Sequence, residues 1–182
     1  GYARAPGPTP PTEMPVPTPA RAPMTRLGLQ IPSFTYPGVP DAGLLDAIAG
    51  IAGAAEASGF DSVWVMDHLY QIGPVGPEDE PMLEAYTLLG ALAARTRTAR
   101  LGTLVTGVTY RNPALLAKMA TTLDVLSGGR GILGIGSAWN EDEHRGYGFD
   151  FPPPRERYER VRDAVEIARR MFTEDRPTYA GR

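Results

Sequence analysis

The chain has 182 residues, 42% of them hydrophobic and 21% charged, with a formal net charge of -3. That is the balance of an ordinary globular domain, with nothing to attract nucleic acid or an anionic membrane surface. There is no cysteine, and the only histidines are His68 and His144, so disulfides, thiolate nucleophiles and thiolate metal sites are excluded and a multi-histidine metal site would need both rings.

No apolar run reaches the roughly 20 residues of a membrane span. No apolar leader core of about 7–15 residues stands near the N-terminus. The expected compartment is therefore the cytoplasm, with no membrane partner. Residues 1–25 hold eight of the 19 prolines. Proline fixes φ and lacks an N–H, so the segment reads as a disordered, extended tail. It could dock in an aromatic groove, but prolines alone satisfy that pattern easily and a passive tail is the simpler reading. Met24 is a candidate natural start.

From Arg26 the pattern alternates between strands and helices. Arg26 to Ile31 reads as a strand. Asp41 is a candidate N-cap for a helix whose stripe is Leu44, Ile48, Ile51, Ala52 and Ala55, ended by Ser58-Gly59. Ser62 to Met66 is a second strand, apolar on both faces. Pro81 is placed at the start of a helix with the stripe Met82, Tyr86, Leu89 and Ala93. Leu101 to Val105 is a third strand. Asn112-Pro113 opens a third helix, with Leu115 or Leu116, Met119, Leu123 and Leu126 on its buried side, and Ser127-Gly128-Gly129 closes it. Ile132 to Ile135 is a fourth strand. After a polar loop and Pro152-Pro153-Pro154, a fourth helix carries Tyr158, Val161, Val165, Ala168 and Phe172.

Four β/α units in a row, without a hairpin signal, imply a parallel sheet with right-handed crossovers. A doubly wound open sheet and part of a (β/α)8 barrel both fit. Barrels run to about 250 residues, so four units from 26 to 182 read as the N-terminal half of one. Leu29, Val63, Val65 and Ile135 are then expected inside the barrel.

In either fold the chemistry lies at the carboxyl ends of the strands. There the chain places Pro32 to Gly38, Asp67-His68-Leu69-Tyr70, Thr106 to Arg111, and Gly136 to Glu141. The helix-to-strand links are short and bland by comparison, and this polarity points to an enzyme. Asp67-His68 is the sharpest pair. A strand-end Asp can hydrogen-bond a ring edge of a cofactor and an adjacent His can move a proton near neutral pH. The plainer alternative is a turn cap beside a packing histidine. Gly129 to Gly134 matches G-x-G-x-x-G in letters but enters a strand instead of leaving one, so a Rossmann site is disfavoured. Gly134 reads better as clearance inside a barrel.

Four segments carry a resemblance: Leu29 to Gly38, Asp61 to His68, Leu101 to Thr106 with Tyr110 to Pro113, and Leu133 to Glu141. Together they resemble the luciferase-like monooxygenase superfamily, and within it the coenzyme F420-dependent oxidoreductases, over almost all of 26–182. The resemblance implies a TIM barrel of the bacterial luciferase-like type with the cofactor ring over the strand ends. It implies that Asp67 contacts the ring and that His68 is catalytic. It also implies a cis peptide at Leu104-Val105, backing the ring with Thr106 beside it, and a ring-edge loop of Ser137, Ala138, Trp139 and Asn140. The implied activity is hydride transfer between coenzyme F420 and a small organic substrate, and the alternative is an FMN-dependent monooxygenase using reduced flavin and oxygen. The full-length form is expected to be a homo-oligomer. The family pattern continues through four more units that hold much of the cofactor tail. The reading of another class is thus a truncated, non-catalytic half-barrel that self-associates.

Overall fold

Four short runs of mostly apolar residues fold side by side as parallel strands in a computed structural model that describes residues 25–181. The proline-rich tail assigned to 1–25 lies outside the described residues, Thr25 apart. In chain order the elements are β1 (Gly28–Ile31), α1 (Leu44–Ala57), β2 (Ser62–Val65), α2 (Ala85–Ala93), β3 (Arg100–Thr103) and β4 (Thr106–Gly107). There follow α3 (Pro113–Ser127), β5 (Gly131–Ile132), β6 (Ile135–Gly136), α4 (Glu141–Tyr147) and α5 (Pro154–Thr173). The main sheet runs β1-β2-β3-β5, and β4 pairs with β6 beyond it. Every pairing is parallel. The alternation of strand and helix thus gives the parallel α/β architecture expected of the sequence.

The third and fourth strands are each broken, and only the break in the fourth was not foreseen from the sequence. Between β3 and β4 lies Leu104-Val105, joined by the cis bond that the resemblance implied. Between β5 and β6 lies Leu133-Gly134. A Cβ on Gly134 would stand 2.0 Å from the Thr103 carbonyl oxygen, so only glycine lets the two broken strands approach. The Gly134 carbonyl takes the Thr106 amide at 2.9 Å and the Thr103 hydroxyl at 3.0 Å.

The side chains of alternate strand residues part to opposite faces. Val63, Val65 and Leu101 are fully buried with Ile48 and Ala52 of α1 and Leu89 and Leu92 of α2. Each of the Val, Leu and Ile side chains among them contributes roughly 1.5–3 kcal/mol. Val63 and Val65 therefore face the helices and not the barrel interior. Their neighbour Trp64 takes the other face. It lies between Gly28 and Gly102, where a Cβ would come within 2.6 and 2.9 Å of its ring.

Helix ends follow local chemistry. The Asn112 side chain accepts from the Ala114 and Leu115 amides, Pro113 sits in the first turn, and Gly128 ends α3 at φ 71°. Pro81 does not start α2; the helix begins at Ala85, capped by Glu84, which accepts from the Tyr86 and Thr87 amides. Asp41 opens a short 3-10 turn instead of capping α1. On α3 the buried side is Leu116, Ala117, Ala120 and Leu123, while Leu115 and Leu126 are exposed. On α5, Tyr158, Val165 and Phe172 are exposed, and Arg157, Asp163, Ala164 and Ala168 are buried. The helix packs on α3 with Ala164 and Ala168 buried. The polar loop after the fourth strand holds α4, begun by an Asn140 cap on the Asp142 amide.

The helix-to-strand links are far from bland. Glu56 at the end of α1 accepts the Arg97, Thr98 and Ala99 amides at 2.9, 2.6 and 2.7 Å. Arg130 reaches back to the Ala93, Thr96 and Ala99 carbonyls at 3.0, 3.1 and 2.6 Å. Arg100 pairs with Asp61. In a barrel this amino-end face is where stability is built, opposite the chemistry.

Candidate active site

At the carboxyl ends of β2, β4 and β6 a cleft of about 320 Å³ is lined by Asp67, His68, Leu104, Val105, Gly107, Tyr110, Gly136, Ser137, Ala138 and Trp139. Of the residues proposed from sequence, Asp67, His68, Leu104, Val105, Ser137, Ala138 and Trp139 meet here. The broken third strand turns Leu104 and Val105 outward, 47% and 43% exposed, as an apolar wall. Gly136 leaves room for that wall, since a Cβ there would lie 2.8 Å from Val105 Cγ2. Trp139 is 61% exposed at the rim, its ring edge-on to His68 at 5.4 Å. Ala138 has a left-handed backbone, φ 61°. Its carbonyl and that of Ser137 accept from Arg157, whose guanidinium lies 4.2 Å over the Phe151 ring.

Thr106 and Asn140 do not line the cleft. The Thr106 side chain is fully buried in a hydroxyl chain, 2.8 Å from both Tyr86 and Thr103. Because Thr103 donates onward to the Gly134 carbonyl, the protons run from Tyr86 through Thr106 to Thr103. Burial pushes the Tyr86 hydroxyl upward, which keeps it a donor. Asn140 spends its side chain on capping α4 and its carbonyl on His144 Nδ1 at 2.6 Å.

Asp67 sits at the cleft floor with only 1% of its side chain exposed. Arg111 grips it with both arms, at 2.6 and 3.0 Å, and reaches Glu84 at 2.7 Å. The guanidinium also lies 5.0 Å over the Tyr86 ring. Burial alone would lower the Arg111 pKa, but Asp67 and Glu84 hold it above its ordinary value. The carboxylate expected to touch a cofactor ring is thus bound by a partner that the sequence reading did not assign.

The largest omission from the sequence reading is Glu143 of α4, which is fully buried. It accepts the Leu69 amide, the Tyr70 amide at 3.1 Å, the Tyr110 hydroxyl at 2.7 Å and His68 Nδ1 at 3.0 Å. Burial would raise its carboxyl, yet the bonds from His68, the two amides and Tyr110 outweigh that and keep it below the usual glutamate range. Burial and donation to Glu143 push the Tyr110 hydroxyl well up. The signal for this helix was present: Asn140 and Glu143 have capping-box spacing. The adjacent His144 is fully buried against Thr109, at 2.7 Å. Among the described residues no cluster of three or more His, Asp or Glu could hold a metal ion.

The luciferase-like monooxygenase family profile matches residues 25–182. An F420-dependent glucose-6-phosphate dehydrogenase of Kineococcus radiotolerans is 40% identical over 137 residues, which are 74% of this chain and 39% of that protein. The chain thus spans about two fifths of such relatives. An F420-dependent secondary alcohol dehydrogenase, solved with an F420-acetone adduct, superposes with a TM-score of 0.71 at 26% identity, over 86% of this chain and 45% of that one. The monooxygenase RslO1 from Streptomyces bottropensis gives 0.70 at 28% identity, over 87% and 46%. With a family match across all of its described residues and two such structures superposing on its fold, the chain belongs to the luciferase-like monooxygenase family.

Proposed function

We propose that this chain is the cofactor-ring half of a hydride-transferring oxidoreductase that takes coenzyme F420 and a small organic substrate. The observation that carries the reading is the cleft itself. An apolar wall, Leu104 and Val105, stands at the ends of the broken strands, with His68 lining the cleft beside it. F420-dependent relatives support the choice of cofactor. When bound, the deazaflavin would supply the hydride-carrying carbon. Leu104 and Val105 would back the ring, and Ser137, Ala138 and Trp139 would meet its edge. Asp67, set by Arg111, would floor the site and His68 would move the proton. Thr106 and Asn140 would support the wall and the α4 loop from behind. The second half of a barrel would supply the opposite wall and the cofactor-tail site.

The test is a fluorescence titration of coenzyme F420 against FMN, on this chain and on a version carrying four further β/α units. F420 should bind the longer version more tightly than FMN does, and Trp139→Ala should weaken it. Tighter FMN binding, or none by either, would overturn the reading.

A further inference from the structure

We propose that Glu143 is a positioning residue that fixes the tautomer of His68, holding the proton on Nδ1 and leaving Nε2 as the free base in the cleft. The consequence for proton transfer rests on the function proposed above; the tautomer itself does not.

The argument is one of donors and acceptors. Glu143 is reached by two backbone N–H groups, from Leu69 and Tyr70, and both can only donate. The Tyr110 hydroxyl is 2.7 Å from its second oxygen. A carboxylate only accepts, so the remaining contact, His68 Nδ1 at 3.0 Å from both oxygens, places a hydrogen on Nδ1. In a neutral imidazole the other nitrogen then carries a lone pair. His68 is 15% exposed through its side chain, and no described group bonds Nε2. The same carboxylate ties down the two residues that follow His68, so ring orientation and tautomer have one cause. His144, next to Glu143, makes no bond to His68; it is engaged by Thr109 and the Asn140 carbonyl.

Glu143→Gln is close to isosteric and separates anchoring from tautomer control. Its oxygen can still take the Leu69 and Tyr70 amides. Its NH2 group, standing in the place of Oε2 at 3.0 Å from Nδ1, favours a ring that accepts there and carries its proton on Nε2, in competition with the retained oxygen at the same distance. With only two histidines in the chain, ¹⁵N-labelled imidazoles give two spin systems, and His144→Gln assigns them. Long-range ¹H–¹⁵N spectra of the 182-residue chain, recorded well to the alkaline side of histidine's ordinary range, should show His68 as Nδ1–H. E143Q should shift it toward Nε2–H. Tyr110→Phe, which removes one donor to Glu143 but not the His68 contact, should leave Nδ1–H in place. A wild-type His68 protonated on Nε2, or on both nitrogens, overturns the proposal even if E143Q fails to fold. So does an E143Q spectrum identical to that of wild type. Neither outcome depends on F420, so failure here is distinct from failure of the cofactor titration.

Discussion

At the scale of single residues, Asp67 shows what a dipeptide can and cannot reveal. Its place at the end of β2 is legible from the apolar run before it. Its partner Arg111 lies 44 positions away and becomes visible only once the third strand is laid beside the second. Removing one member of a buried ion pair leaves a charge uncompensated, at about 3–5 kcal/mol. Asp67→Ala should therefore lower stability by that order, read from urea denaturation, with Arg111 left only Glu84. The Asp67→Ala, Arg111→Ala double variant should cost clearly less than the two singles added. Additive losses would mean that the pair is not coupled. The pH dependence of Glu143 has a definite sign. Its folded pKa lies below the unfolded value of about 4.3, so the stabilisation is present above that value and is lost as pH falls through the folded one. E143Q removes this titration. Its stability should fall less steeply with acid than that of wild type, though Glu56 and Glu84, also held low, leave part of the slope. Equal slopes would refute the claim.

At the scale of elements, periodicity located strands and helices well wherever burial is one-sided. The stripe of α1 is the case in point, since Leu44, Ile48, Ala52 and Ala55 are buried as read. It was half right on α5, where spacing selected Ala168, which is buried, together with Tyr158, Val165 and Phe172, which are exposed. Large apolar residues attract attention in a sequence, yet a close helix contact is made by small ones. The break in the fourth strand was hidden for another reason: it depends on one backbone approaching another at Gly134, and that contact leaves no periodic trace. The amino-end links were misread because their work is done by single charged side chains from elsewhere in the chain. Glu56 is the clearest of these. Its three amide bonds join α1 to the turn before β3. Charge-assisted bonds contribute about 1.5–3 kcal/mol, and Glu56→Ala leaves three N–H groups to find water. A loss of about 2 kcal/mol is expected, with faster amide exchange at Thr98 and Ala99. Exchange unchanged at both sites would show the contact to be idle.

At the scale of the whole molecule, the parallel sheet was legible because four β/α units admit few topologies, and the resemblance narrowed these to a barrel. What one sequence could not convey is how much apolar surface the described fold leaves uncovered. Val125, Leu126, Tyr158, Val165 and Phe172 are between 47% and 72% exposed. Among the described residues β1 bonds only β2, and β5 only β3, so each presents an unpaired edge. An open parallel edge is a template for another strand, and parallel sheets are otherwise found covered on both faces. Each large side chain left in water forgoes roughly 1.5–3 kcal/mol, so five together rival the 5–15 kcal/mol of a typical domain. Association recovers part of that and pairs the edges as well. The 182-residue chain should therefore self-associate, with its mass by light scattering rising over a concentration series. Two variants separate the sources. Tyr158→Lys with Phe172→Lys should lower the associated fraction if the outer face of α5 drives it. A charge on the edge strand, Leu29→Lys, should do so if edge pairing does. A monodisperse monomer with one cooperative thermal transition would show that the four units hold their fold unaided, because the core under α1 and α2 would then suffice without any covering of α5 or the sheet edges.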